Sequence, residues 1–160
     1  MNLSLEIIFI TTLGVLFYQD IKERKVSVWI LIISLLLGGI LHFMQQTQIV
    51  FVSSIVMNIT FIALVFGVLC LYAKIILQNN IFQVFGMGDL LFFILLAVSL
   101  PLVSFLMVFI FSLLFSLLIF ILVKRKLKDK TVPLAGLQSL FLILVLLVNK
   151  LIPKIELYTL

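Results

Sequence analysis

Gly86-Met87-Gly88-Asp89 sets a carboxylate inside an otherwise apolar run, residues 81–100, and the fold turns on how that carboxylate is carried. An aspartate at the centre of a membrane-spanning helix costs ~2.5–3.5 kcal/mol on insertion scales, and less near the interface. Such a residue persists when it has a partner or a task. Residues 89–100 make roughly 18 Å of helix before Pro101, against a hydrocarbon core of ~30 Å. With Pro101 at the outer interface, Asp89 lies at depth beneath the inner one, where non-helical backbone is tolerated only if it is buried in protein or lines a wet cavity. Gly86 and Gly88 suit a local unwinding there. The plainer alternative is one long helix that Pro101 merely kinks.

The rest of the chain carries the same signature. Of its 160 residues 65% are hydrophobic, against ~45–50% in soluble domains. Apolar stretches of ~20 residues without period-2 alternation predict an all-α polytopic membrane protein, a bundle of six transmembrane helices, rather than an outer-membrane barrel. Residues 1–160 read as a single transmembrane domain, because few polar residues remain to build a soluble one. The expected spans are residues 3–19, 28–43, 49–77, 81–100, 102–123 and 131–148. Trp29 anchors the start of the second at the interface, Gly38-Gly39 permits close helix packing, and Pro133 suits a helix start. The third span is longer than a bilayer requires and is expected to tilt or project. Glu6 is expected near the outer end of the first span, within reach of water. That span has no basic segment before it and no small-residue cleavage site after it, and is expected to be retained.

Charge orients the bundle. The formal net charge of +5 is not the footprint of a nucleic-acid partner, because the basic residues sit in short loops beside apolar segments. With the loops after spans one, three and five in the cytoplasm, Lys22, Arg24, Lys25, Lys74, Lys124, Arg125, Lys126, Lys128 and Lys130 gather there, and only Lys150 and Lys154 stay outside. Both termini then face out. Asp20 and Asp89 fall on the same, cytoplasmic side, a coincidence the charges did not require.

Cys70 and His42 are each the sole residue of their type, which excludes an intrachain disulfide and the usual zinc sites, so no metal or cofactor is expected. Cys70 reads as a small packing residue. A pair of carboxylates needs no cofactor. Two close acids cannot both ionise comfortably and so share a proton; one then takes a proton from water while the other polarises a carbonyl. That is peptide hydrolysis without a metal or a side-chain nucleophile. Glu23 and Asp129 stand among Lys and Arg as solvated counter-charges, which leaves Asp20 and Asp89 as the catalytic candidates. Asp20 ends a helix, where the macrodipole disfavours an anion, and Asp89 opens one, where it is favoured. Asp20 is therefore expected to hold the shared proton. Asn58 and Thr60 are expected to bond between helices, Gln83 to line the approach to Asp89 or stay in a loop, and Ser99, Ser104, Ser112 and Ser116 to pack. A different class of function fits the same pair: a non-catalytic membrane scaffold, or a transport component that binds a proton or cation there.

Gly86-Met87-Gly88-Asp89-Leu90 resembles the Gly-x-Gly-Asp motif of the bacterial type IV prepilin peptidases and their archaeal preflagellin relatives, which are intramembrane aspartic proteases. Asp20-Ile21-Lys22-Glu23-Arg24-Lys25-Val26 resembles the family's first-aspartate segment, and Thr131-Val132-Pro133-Leu134-Ala135-Gly136 is similar to the Pro-containing start of its last helix. The resemblance implies that Asp20 and Asp89 are the catalytic aspartates, supported by Gly86 and Gly88. It implies a prepilin-like protein substrate, whose short basic leader is cut before a hydrophobic helix at the cytoplasmic face of the bacterial inner membrane. Where the family often has Ile-Pro-Asn, this chain has Val26-Ser27-Val28. It resembles a short form without the cysteine-bearing N-terminal domain associated with methylation, which implies cleavage without methyl transfer. Presenilin-like proteases share Gly-x-Gly-Asp but carry their other aspartate in a later helix, and fit less well.

Overall fold

The computed structural model describes residues 3–77, 86–123, 133–152 and 157–158; residues 78–80, Gln83, the basic cluster at 124–130, Thr131 and Lys154 lie outside the described residues. The regular structure is helical: α1 Leu3–Glu23, α2 Val28–Phe43, α3 Gln48–Tyr72 widening into a π-turn over Ala73–Leu77, α4 Met87–Ser99, α5 Leu102–Val123 and α6 Leu134–Leu151. The chain is an all-α polytopic bundle. α1, α3, α5 and α6 are long and apolar enough to cross a membrane. α2 and α4, with 16 and 13 residues, reach only roughly 24 and 20 Å and fall short of a ~30 Å hydrocarbon core. The outward faces are apolar, with Trp29, Leu36, Val52, Leu64 and Leu118 all exposed. That surface suits lipid rather than water.

Each helix break has a local cause. α1 runs past Asp20 to Glu23, so Asp20 sits inside the last turn rather than after it, a correction to the first span's expected end. Arg24 stops the helix at φ 55°, the left-handed conformation that usually selects glycine at this position. The Ser27 amide donates to Gln19 Oε1 at 3.1 Å and closes the loop back on α1. Pro101 does not kink a continuous helix: Leu100 is extended, at φ −133° and ψ 145°, and α5 starts afresh at Leu102. Asn58 of α3 repairs that break. Its Nδ2 donates to the carbonyls of Ala97 and Leu100, both at 2.9 Å, groups that water does not satisfy inside a bilayer. This is the interhelical bonding expected of Asn58, whereas Thr60 bonds back to the Val56 carbonyl on its own helix.

α1 packs chiefly on α6, and α2 on α4. Phe9, Leu13 and Leu16 of α1, Leu95 and Leu96 of α4, Phe105 of α5 and Leu142 of α6 fill the core between them, and Ser99, Ser104, Ser112 and Ser116 are buried as expected. Gly38 sets how closely α2 approaches α4: a Cβ there would overlap Ser99 Oγ, lie 2.8 Å from Ser99 Cβ and 3.1 Å from Phe9 Cζ. Overpacking of this kind costs about 1–3 kcal/mol. Gly38→Ala is accordingly expected to lower the unfolding midpoint in detergent, and adding Ser99→Gly should recover part of the loss; an unchanged midpoint would contradict this packing.

At the end of the bundle away from the aspartates, residues 157–158 fold back over the helices. Ser104 Oγ donates to the Leu157 carbonyl and Gln46 Nε2 to the Tyr158 carbonyl, while the Leu157 amide donates to Asn149 Oδ1 at 3.1 Å. Burial, and then the charge of nearby Glu6, pushes the Tyr158 hydroxyl up from its ordinary pKa. Glu6 does not reach water as expected from its place in the sequence. It is 6% exposed, and its Oε2 has no hydrogen-bond partner.

Candidate active site

Pro133 caps the start of α6 and has no amide hydrogen to place there. The next amides of a helix's first turn have no partner within the helix. Here two of them are taken by carboxylates from two other helices. The Ala135 amide donates to Asp89 Oδ1 at 2.9 Å, and the Gly136 amide donates to Asp20 Oδ2 at 2.6 Å. Asp20 reaches this point from the last turn of α1 and is 7% exposed. Asp89 reaches it from the first turn of α4 and is half-buried. Consecutive Cα atoms are ~3.8 Å apart, so carboxylates held by successive amides stand side by side, and Asp89 feels the charge of Asp20.

The structure thus brings together both aspartates picked out in the sequence, and adds a third element. A helix N-terminus favours an anion, and α6 offers its N-terminus to both acids. α6 adds the same favourable end to both acids, on top of the asymmetry expected from α1 and α4. Asp20, at the unfavourable end of its own helix, takes the shorter of the two amide bonds.

The motif glycines act through space rather than through torsion. Gly86 is extended, at φ −70° and ψ 136°, and marks the start of α4; a Cβ there would lie 3.0 Å from Asp89 Oδ2. Gly88 is already helical, and a Cβ there would meet Val26 at an ordinary 3.6 Å. Neither has a positive φ. The unwinding expected at both positions is, among the described residues, a boundary at Gly86 alone. Within the site the closest approach is at a third glycine: a Cβ on Gly136 would lie 2.9 Å from Asp20 Cβ and 3.0 Å from its Oδ2.

Of the basic residues beside Asp20, Lys22 turns away, its Nζ 3.0 Å from the Tyr18 hydroxyl and 5.1 Å from that ring's centroid. Arg24 acts on Asp20 through its charge. Gln138, one turn beyond the amide that holds Asp89, is wholly buried with neither amide atom hydrogen-bonded. Among the described residues no third His, Cys, Asp or Glu joins the pair.

Sequence reasoning singled out Pro133 as a helix start but missed the two amides behind it. Their signal is a glycine inside the first turn, where it costs ~1 kcal/mol relative to alanine. A glycine kept there marks a close approach. Comparison with known families, curated proteins and solved structures finds no match to this chain. Two carboxylates anchored from separate helices onto successive backbone donors can, as a chemical type, share a proton.

Proposed function

We propose that this chain is an intramembrane aspartic endopeptidase of the prepilin peptidase type, removing the leader from prepilin-like precursors. The observation that carries the reading is the pair of successive amides, Ala135 and Gly136, holding Asp89 and Asp20 side by side. One ionised and one protonated carboxylate are all the reaction requires. The ionised acid takes a proton from water as the water oxygen attacks the scissile carbonyl carbon, and the protonated acid gives its proton to the carbonyl oxygen. When the resulting diol collapses, the C–N bond breaks and a proton passes to the leaving amine. The amides of α6 hold one oxygen of each acid in place throughout.

The basic residues of the α1–α2 loop lie at the aspartate end of the bundle, and the positive-inside rule assigns that end to the cytoplasm, with both termini outside. The reading is therefore of a multi-pass protein of a bacterial cytoplasmic membrane that cuts at its inner face. A precursor with a short basic leader and a hydrophobic helix fits that position. The test is cleavage of a co-expressed prepilin-like precursor in membranes, comparing the native chain with the double variant Asp20→Asn/Asp89→Asn and sequencing the new amino terminus. The native chain should release the leader and the double variant should leave the precursor intact. Equal cleavage by both would overturn the peptidase reading, and no cleavage of any prepilin-like precursor by the native chain would turn it toward proton or cation binding.

A further inference from the structure

One residue past Gly136, α6 presents a different face. Leu137 floors a groove of about 270 Å³ between α1 and α5, walled by Phe17 and Ile21 on one side and Phe120 and Val123 on the other. Among the described residues its lining is apolar except for Arg24. We propose that this groove holds an acyl chain of an anionic phospholipid, whose phosphate is bound by the Arg24 guanidinium.

Three observations favour that occupant. The groove opens on the lipid-facing surface, where its lining residues Ile21 and Val123 are exposed, and from Phe17 to Arg24 it follows α1 for roughly 10 Å. Arg24 sits where the basic loop after α1 begins, so the lining passes from hydrocarbon to charge as a lipid does. Lastly, Arg24 is held at φ 55°, a conformation that glycine adopts freely and other residues adopt at a cost. It is also half-buried, while Lys22, Glu23 and Lys25 beside it are exposed. A guanidinium is suited to phosphate, which it grips through paired hydrogen bonds. A substrate helix is the less favoured occupant, because Arg24 repels the basic leader of the proposed precursor. Since Arg24 also acts on Asp20, a phosphate bound to it would draw part of that charge away from the acid pair.

This proposal stands apart from the peptidase reading, and its test measures lipid alone. The purified chain is exchanged into detergent with equal amounts of palmitoyl-oleoyl phosphatidylglycerol and phosphatidylcholine, and retained lipid is counted by native mass spectrometry. The native chain should keep phosphatidylglycerol over phosphatidylcholine by about fivefold, the preference one cation near an anionic headgroup provides. Arg24→Gly, which suits the backbone, should abolish the preference. Leu137→Trp, which fills the groove, should reduce retention of both lipids, and Lys22→Gln should change nothing. Equal retention of the two lipids by the native chain, or a preference that survives Arg24→Gly, would overturn the proposal. So would a Leu137→Trp variant that retains both lipids at the native level, because the groove would then not hold their acyl chains.

Discussion

Asp20→Asn and Asp89→Asn are each expected to reduce precursor cleavage on the order of 10³-fold or more, about 4 kcal/mol of transition-state stabilisation, in a chain that still folds and inserts. Asparagine keeps an oxygen that accepts the Gly136 or Ala135 amide, so the first turn of α6 stays capped. What it loses is the ability to exchange a proton, and a shared proton cannot be supplied by one acid alone. Alanine at the same positions should behave differently. It leaves an amide of α6 unpaired where water is scarce, which costs a further ~1–3 kcal/mol of stability. Cleavage rates in membranes measure the first effect, and unfolding midpoints in detergent measure the second. An Asn variant that cuts at the native rate would sink the two-carboxylate mechanism. Equal midpoints for the Asn and Ala variants would instead contradict the capping of α6 by these side chains.

The bundle and its acid pair were legible because hydrocarbon makes a carboxylate expensive, so Asp20 and Asp89 stand out from a 65% hydrophobic chain without any structure. Pro101 was legible as a break for the same local reason, the lack of an amide to donate. What escaped depends on groups that leave no side-chain signal. The donors at Ala135 and Gly136 are backbone atoms, and only the glycine three residues after Pro133 hints at them. The end of α1 was misjudged because Arg24, which is not a turn residue by composition, adopts the left-handed conformation there. Glu6 was misjudged because Tyr158, at the other end of the sequence, folds back close to it. Asn58 shows the intermediate case. A polar side chain in an apolar span predicts a bond to another helix, but the carbonyls it serves exist only because α4 stops at Ser99.

Gly136→Ala is expected to reduce cleavage about 10²-fold, the scale set by displacing a reacting group by roughly 1 Å, and to do more harm than alanine at either glycine of the Gly-x-Gly-Asp motif. The added Cβ would stand 2.9 Å from Asp20 Cβ, an atom fixed to the α1 backbone that cannot swing aside. Either α1 and α6 separate or Asp20 turns off the Gly136 amide, and both move the carboxylate away from its partner. At Gly86 the nearest atom is Asp89 Oδ2 at 3.0 Å, the far end of a rotatable side chain, so the cost there should be smaller. At Gly88 the contact with Val26 is an ordinary 3.6 Å, and alanine should be tolerated. Gly14 and Gly67 have nothing within 4 Å of an added Cβ, so alanine there serves as the control for helix propensity, worth up to ~1 kcal/mol in its favour. Cleavage rates across these five variants rank the sites directly. If Gly88→Ala fails while Gly136→Ala cuts normally, the first turn of α6 is not what positions Asp20, and the motif's second glycine matters for something other than the space around it.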